Sequence, residues 1–99
     1  MQASELNHVR NFLETLQHLS PHTQKAYQHD LATLQEYCRI QGVNKWKNLD
    51  GRQVRAYAAW RYRQGIGGKS LQRNLSAVRA FYRYLINRDI ATQNPAHGI

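Results

Sequence analysis

The chain is short of cysteine, of acid and of long apolar runs, and each shortage removes a class of protein. Cysteine occurs once, as Cys38, so no intramolecular disulfide can form and an oxidising compartment gains no support. No apolar run approaches the ~20 residues of a membrane span, and the polar start, Met1 to Glu5, is no signal peptide. At 99 residues the chain has room for one small domain, and 41% hydrophobic residues is too many for a disordered one. A secreted disulfide scaffold, a membrane protein and a multidomain enzyme are therefore excluded as readings of these residues.

The shortage of acid is uneven, and its distribution says more than the net charge of +8. Up to residue 50, Arg10, Lys25, Arg39, Lys45 and Lys47 are balanced by Glu5, Glu14, Asp30, Glu36 and Asp50. Residues 51–88 carry Arg52, Arg55, Arg61, Arg63, Lys69, Arg73, Arg79, Arg83 and Arg88 and no acid at all. A field of one sign repels itself, and folding concentrates it. A merely solvated face would be leavened with glutamate. A polyanionic partner accounts for the absence of acids better, and nucleic acid is the commonest one. A membrane surface fits less well, because the arginines are interleaved with tyrosines rather than set against one broad apolar face.

No segment alternates with period two, and four segments repeat with the period of a helix, which predicts an all-α fold. The first covers about residues 4–18, with Leu6, Val9, Leu13 and Leu16 on one stripe. Ser20-Pro21 then supplies an N-cap followed by proline at the first helical position, and Gly42 stops the second helix. Tyr27, Leu31, Leu34 and Cys38 form its inward stripe. Trp46, in the connection that follows, reads as a plug for the core. Asp50 caps a third helix, and Gly65-Ile66-Gly67-Gly68 breaks it, since glycine admits the positive φ of a tight reversal. The fourth helix covers about residues 69–87. Domain organisation follows: residues 1–93 as the folded unit and 94–99, opening on Asn94-Pro95, as the start of a linker.

The fourth helix is the most informative. Leu71, Leu75, Val78, Tyr82 and Leu85 share one stripe at 100° per residue, and Lys69, Arg73, Ser76, Ala80 and Arg83 lie opposite, with Gln72 and Arg79 on the flank. A solvated face usually mixes long residues of both signs; this one mixes cations with small residues, so a groove wall can approach closely. A helix fits the major groove, where arginine reads guanine and glutamine reads adenine through paired hydrogen bonds. The start of the helix, just past the glycines, offers free N–H groups to a phosphate. At the start of the second helix, His22, Lys25 and His29 lie outward, with Thr23 near the core-side edge. Lys69 and Arg73 read as freely exposed, so their removal is expected to change stability by no more than ~0.5 kcal/mol.

Leu19-Ser20-Pro21-His22-Thr23-Gln24-Lys25-Ala26-Tyr27 with Asp30-Leu31, the stretch from Gly65 to Leu85, and Asn94-Pro95-Ala96 together resemble the core-binding domain of the tyrosine recombinases. Single motifs here are weak; their order and spacing over nearly the whole chain are specific. The resemblance implies a four-helix SAM-like domain, an orthogonal helical bundle, that forms one half of a clamp around duplex DNA in the bacterial cytoplasm. Its second and fourth helices would enter the major groove. Carried over by position, DNA contacts fall to His22, Thr23, Lys25, Lys69, Ser70, Gln72, Arg73 and Ser76. The helical wheel, rather than the resemblance, adds Arg79 and Arg83. Details around Trp46, Val54-Arg55 and residues 70–79 are similar to the chromosomal members that resolve chromosome dimers before cell division, with phage integrases the alternative. The implied partners are double-stranded DNA and a second recombinase of the same family in a DNA-bound tetramer. Strand cleavage would belong to a catalytic domain beyond Ile99, so these residues are expected to bind DNA and not to cut it, without metal or other cofactor.

The rival readings rest on other residues. His18 and His22 are four apart, but Pro21 separates them and no further ligand completes a tetrahedral zinc set. No nucleophile, base and orienting group can be assembled among the tyrosines for a stand-alone enzyme. A small helical RNA-binding or protein-docking module would display aromatics for stacking, and Trp60 and Tyr84 are the candidates.

Overall fold

The computed structural model describes all of residues 1–99 and contains four α-helices, one 3₁₀ turn and no strand. Helix α1 spans Ala3–Glu14, α2 Pro21–Gln41, α3 Gly51–Arg63 and α4 Gly68–Asn87, with the 3₁₀ turn at Trp46–Asn48 between α2 and α3. No helix is long and apolar enough to cross a membrane.

The boundaries follow local chemistry. Ser20 caps α2 by accepting from the Thr23 backbone N–H at 3.2 Å, and Pro21 occupies the first turn. Gly42 closes that helix at φ 75°, and the Val43 N–H returns to the Cys38 carbonyl at 2.9 Å, satisfying an end that would otherwise be orphaned. Asp50 and Gln53 form a reciprocal capping box on α3, with bonds of 2.8 and 2.9 Å. Helix α1 ends four residues earlier than the periodicity predicts. The Thr15 hydroxyl donates to the Phe12 carbonyl at 2.6 Å, and tight turns through residues 15–18 still carry Leu16 into the core.

Helix α4 is the central element, packed against each of the other three. Its expected stripe of Leu75, Val78, Tyr82 and Leu85 is buried, and Leu71 is half-buried. Burial widens to Asn74, Ala77 and Phe81, because neighbours surround the helix on more than one side. Trp46 is fully buried and meets Phe81 edge-on, with centroids 5.0 Å apart. Its indole N–H donates to the Glu5 carbonyl at 2.9 Å, its backbone N–H donates to Glu5 Oε1 at 2.8 Å, and its carbonyl accepts from the Tyr82 hydroxyl at 2.6 Å. The plug thus ties α1 and α4 together, and every polar atom it brings inside is satisfied. In α1, the buried side is Val9 and Phe12, continued by Leu16 in the turn that follows; Leu6 is exposed. Phe12 turns inward because it packs on both Phe81 and Tyr84.

Residues 94–99, read from sequence as a linker, are folded onto the domain. Ala96 is fully buried, Asn94 Nδ2 donates to the Arg79 carbonyl at 3.1 Å, and the Pro95 carbonyl lies against Gly51. Alanine is small enough to fill the crevice there, and composition alone does not register such a fit.

Candidate nucleic-acid interface

The two helices expected to carry the site lie side by side. Asp30, in the third turn of α2, and Arg73, in the second turn of α4, form a side-on bidentate pair: Arg73 Nε donates to Oδ2 at 2.9 Å and Nη2 to Oδ1 at 2.8 Å. The Asp30 side chain is completely buried, whereas that of Arg73 is 41% exposed. The bond to the carboxylate holds the guanidinium's pKa above its ordinary value, so Arg73 is permanently charged. The contact is a seam that ties the third turn of α2 to the second turn of α4.

Around that seam, His22, Lys25 and His29 are exposed on α2, and Lys69, Gln72 and Arg73 on α4. Thr23 and Ser70 are half-buried at the two helix starts. The Thr23 oxygen accepts from the Ser20 hydroxyl at 2.9 Å, which leaves its own O–H to donate elsewhere. Gly67 leads into α4 with no side-chain cap, so the first N–H groups of that helix stay open to an anion. Arg83 is exposed further along α4.

Three of the residues expected at the site make contacts within the protein. Arg73 is not a free surface residue: it is the sole charge partner of a buried carboxylate, so its removal strands Asp30 and affects folding. Arg79 is half-buried and already employed, donating to the Ile99 carbonyl at 2.9 Å and to Ser76 Oγ at 3.1 Å. Ser76 is half-buried in the same arrangement. A helical wheel gives the angle of Arg79 about its own axis and not the segment that covers it. Asp30 was missed as part of the site; its signal was an acid set at the edge of the Tyr27–Leu31–Leu34 stripe.

The charge asymmetry survives folding. Of the nine basic side chains between residues 51 and 88, Arg73 alone meets a carboxylate; the other ion pairs, Glu36–Arg39 and His8–Glu5, lie in the balanced half. Arg88 rests over the Tyr84 ring at 5.0 Å. Trp60 is packed against Tyr37 and Tyr57, and Tyr84 against Phe12, so both rings are half-buried, whereas Tyr62 is exposed. Cys38 is buried, and burial pushes its thiol up to about 12, which leaves it unreactive at neutral pH.

Residues 7–89 match the family described as phage integrase, N-terminal SAM-like domain. A tyrosine recombinase XerC from Pseudomonas syringae pv. syringae (strain B728a) is 40% identical over 87 residues, covering 88% of this chain and 29% of the relative. One from Stutzerimonas stutzeri (strain A1501) is 36% identical over 96 residues, covering 97% and 32%. One from Azotobacter vinelandii (strain DJ / ATCC BAA-1303) is 37% identical over 94 residues, covering 95% and 30%. The chain therefore spans about a third of the length of the curated relatives it matches. No solved structure matches.

Proposed function

The chain belongs to the phage integrase family through its N-terminal SAM-like domain, and from that premise we propose that it grips duplex DNA in the major groove. It serves as the DNA-binding part of a XerC-type site-specific tyrosine recombinase. His22, Thr23 and Lys25 at the start of α2, and Lys69, Ser70, Gln72 and Arg73 at the start of α4, hold the duplex, with Arg83 extending the contact. Ser76 and Arg79, half-buried and hydrogen-bonded to each other, flank this surface, and Arg79 also holds the 94–99 segment. The observation that carries this reading is the seam itself: α2 and α4 tied together through Asp30 and Arg73, with His22, Lys25 and His29 exposed on one helix, Lys69, Gln72, Arg73 and Arg83 exposed on the other, and no acid in α4.

The division of labour follows from what these residues lack. Attack on a phosphodiester by a tyrosine needs a positioned base and a clamp for the developing charge. Tyr57 and Tyr82 are fully buried and their hydroxyls are raised in pKa by that burial, so neither serves as a nucleophile. Cutting and rejoining fall to a C-terminal catalytic domain. The full protein acts with XerD in a DNA-bound tetramer, resolving chromosome dimers at cell division. The single-strand reading is less favoured, because Trp60 and Tyr84 are half-buried against other aromatics, and Tyr62 is the exposed aromatic it would rest on.

A fluorescence-anisotropy titration of labelled duplex across a salt series tests the reading. With about five phosphates contacted, log K falls against log salt with a slope near −4.5, at about −0.9 per phosphate. Lys69→Ala with Arg83→Ala removes about two of those units, while Arg10→Ala, exposed on α1 in the electrically balanced half of the chain, leaves both affinity and slope in place. Equal losses for Arg10 and for the Lys69/Arg83 pair mean diffuse charge and exclude the groove assignment. Preference for single strands over duplex excludes it as well.

A further inference from the structure

We propose that Asp30 is a positioning residue for DNA binding: its buried carboxylate holds Arg73 by Nε and Nη2 and thereby presents Nη1 to the DNA. This rests on the reading of the α2–α4 seam as a duplex-binding surface. The side-on bond leaves Nη1 at the opposite end of the guanidinium, with no hydrogen-bond partner in the protein, on a side chain 41% exposed.

A free surface arginine loses its rotamer freedom when it binds a phosphate or a base edge. Here that freedom is already lost on folding, because two of the three guanidinium nitrogens are anchored to an immobile acceptor. The remaining donors then stand at a set position and angle, which is what a bidentate or in-plane contact requires. The arrangement carries an electrostatic penalty. Asp30 is a negative charge set under a surface that meets a polyanion, in a chain with only six acids. If bare charge were all that mattered, an asparagine would serve DNA binding better, since it would leave Arg73 uncompensated.

That penalty gives the test a sign. Asp30→Asn raises the net charge from +8 to +9, so a charge-only account expects tighter binding and a steeper salt slope. Positioning expects the reverse: binding to a duplex about tenfold weaker and a slope flatter by about 0.9, as one oriented phosphate contact is lost. Arg73→Lys keeps the charge and loses the fork, because its ammonium turns inward to Asp30; binding weakens about tenfold. Asp30→Glu keeps a carboxylate and restores affinity to within about threefold of wild type. In an Arg73→Ala background, Asp30→Asn no longer weakens binding and instead tightens it, because nothing remains to be aimed.

Affinities are taken on protein shown by circular dichroism to be folded, so that loss of the α2–α4 brace is not counted as loss of contact. Asp30→Asn binding as tightly as wild type, or weakening binding by the same factor with and without Arg73, overturns the proposal. Should Asp30→Asn fail to fold, Arg73→Lys decides, and wild-type affinity there overturns it equally. The underlying reading fails separately: wild-type protein showing no salt-dependent binding to duplex takes both down. Wild-type binding with an unweakened Asp30→Asn variant takes down the positioning role alone.

Discussion

Replacing Tyr57 by phenylalanine removes a single oxygen, yet it is expected to be among the more damaging changes to this domain. Tyr57 on α3 and Asn74 on α4 are both fully buried, and the tyrosine hydroxyl donates to Asn74 Oδ1 at 2.9 Å. The amide nitrogen of Asn74 has no partner, so this one bond is all that satisfies the side chain. Without the hydroxyl, both polar ends of Asn74 are buried and unpaired, at a penalty of about 1–3 kcal/mol. Against a total stability of roughly 5–15 kcal/mol this is large. For a domain of this length each kcal/mol moves the midpoint of thermal unfolding by about 4–8 °C. Asn74→Leu, which keeps the branching, strands the Tyr57 hydroxyl instead and is damaging for the same reason. The double variant leaves no polar atom behind and is expected to lie close to wild type, well above either single one. Urea unfolding followed by far-UV circular dichroism, at unchanged slope against denaturant, measures all four corners of the cycle. A Tyr57→Phe variant within ~0.5 kcal/mol of wild type, or a double variant as damaged as the sum of the singles, refutes the reasoning.

Two further outcomes concern the backbone and the buried protons. Gly42→Ala places a side chain at φ +75° with nothing within 4 Å, so its cost is conformational alone, about 1–2 kcal/mol; Gly68→Ala, in open space at the start of α4, stabilises by about 0.4–1 kcal/mol. Opposite shifts in melting temperature are the check. Burial raises Cys38 from 9.0 to about 12 and Tyr57 from 10.0 to about 12, so the unfolded chain releases these protons at lower pH than the folded one. Stability is therefore flat up to about pH 9 and then falls by about 1.4 kcal/mol per pH unit for each group titrating. Cys38→Ala delays the onset to about pH 10, and a urea midpoint that holds steady to pH 11 contradicts the assignment.

What was legible in the sequence is what short-range chemistry decides. Ser20-Pro21, Gly42, Asp50 and the glycines at 65–68 act through bonds to residues no more than five away, so the order and nearly all the boundaries of the helices follow from them. The stripe on α4 was also legible, since a period of 3.6 needs no knowledge of the partner. The rotation of α1 was not. Leu6 and Leu13 compete with Phe12 for the inward position, and Phe12 wins because Phe81 and Tyr84 form the surface it meets. The covering of Arg79 by residues 94–99 was hidden for the same reason, as it joins groups 20 residues apart.

The polar pairs lie furthest from what periodicity registers. Glu5 with Trp46 spans 41 residues, Asp30 with Arg73 spans 43, and Tyr57 with Asn74 spans 17. A helical wheel treats each residue on its own helix and does not pair it with a partner so far along the chain. Lys69, Gln72 and Arg83 were legible as exposed side chains because exposure is a property of one helix; the restraint on Arg73 is a property of two. At Asp30 local pattern, burial and net charge disagree: an acid, fully buried, below a basic face. The buried carboxylate is compensated by a guanidinium that itself reaches the surface. Breaking the pair at either residue is costly to folding, because it strands a buried polar group, so only the Asp30→Asn and Arg73 variants compared on folded protein separate its structural role from the proposed positioning of Arg73.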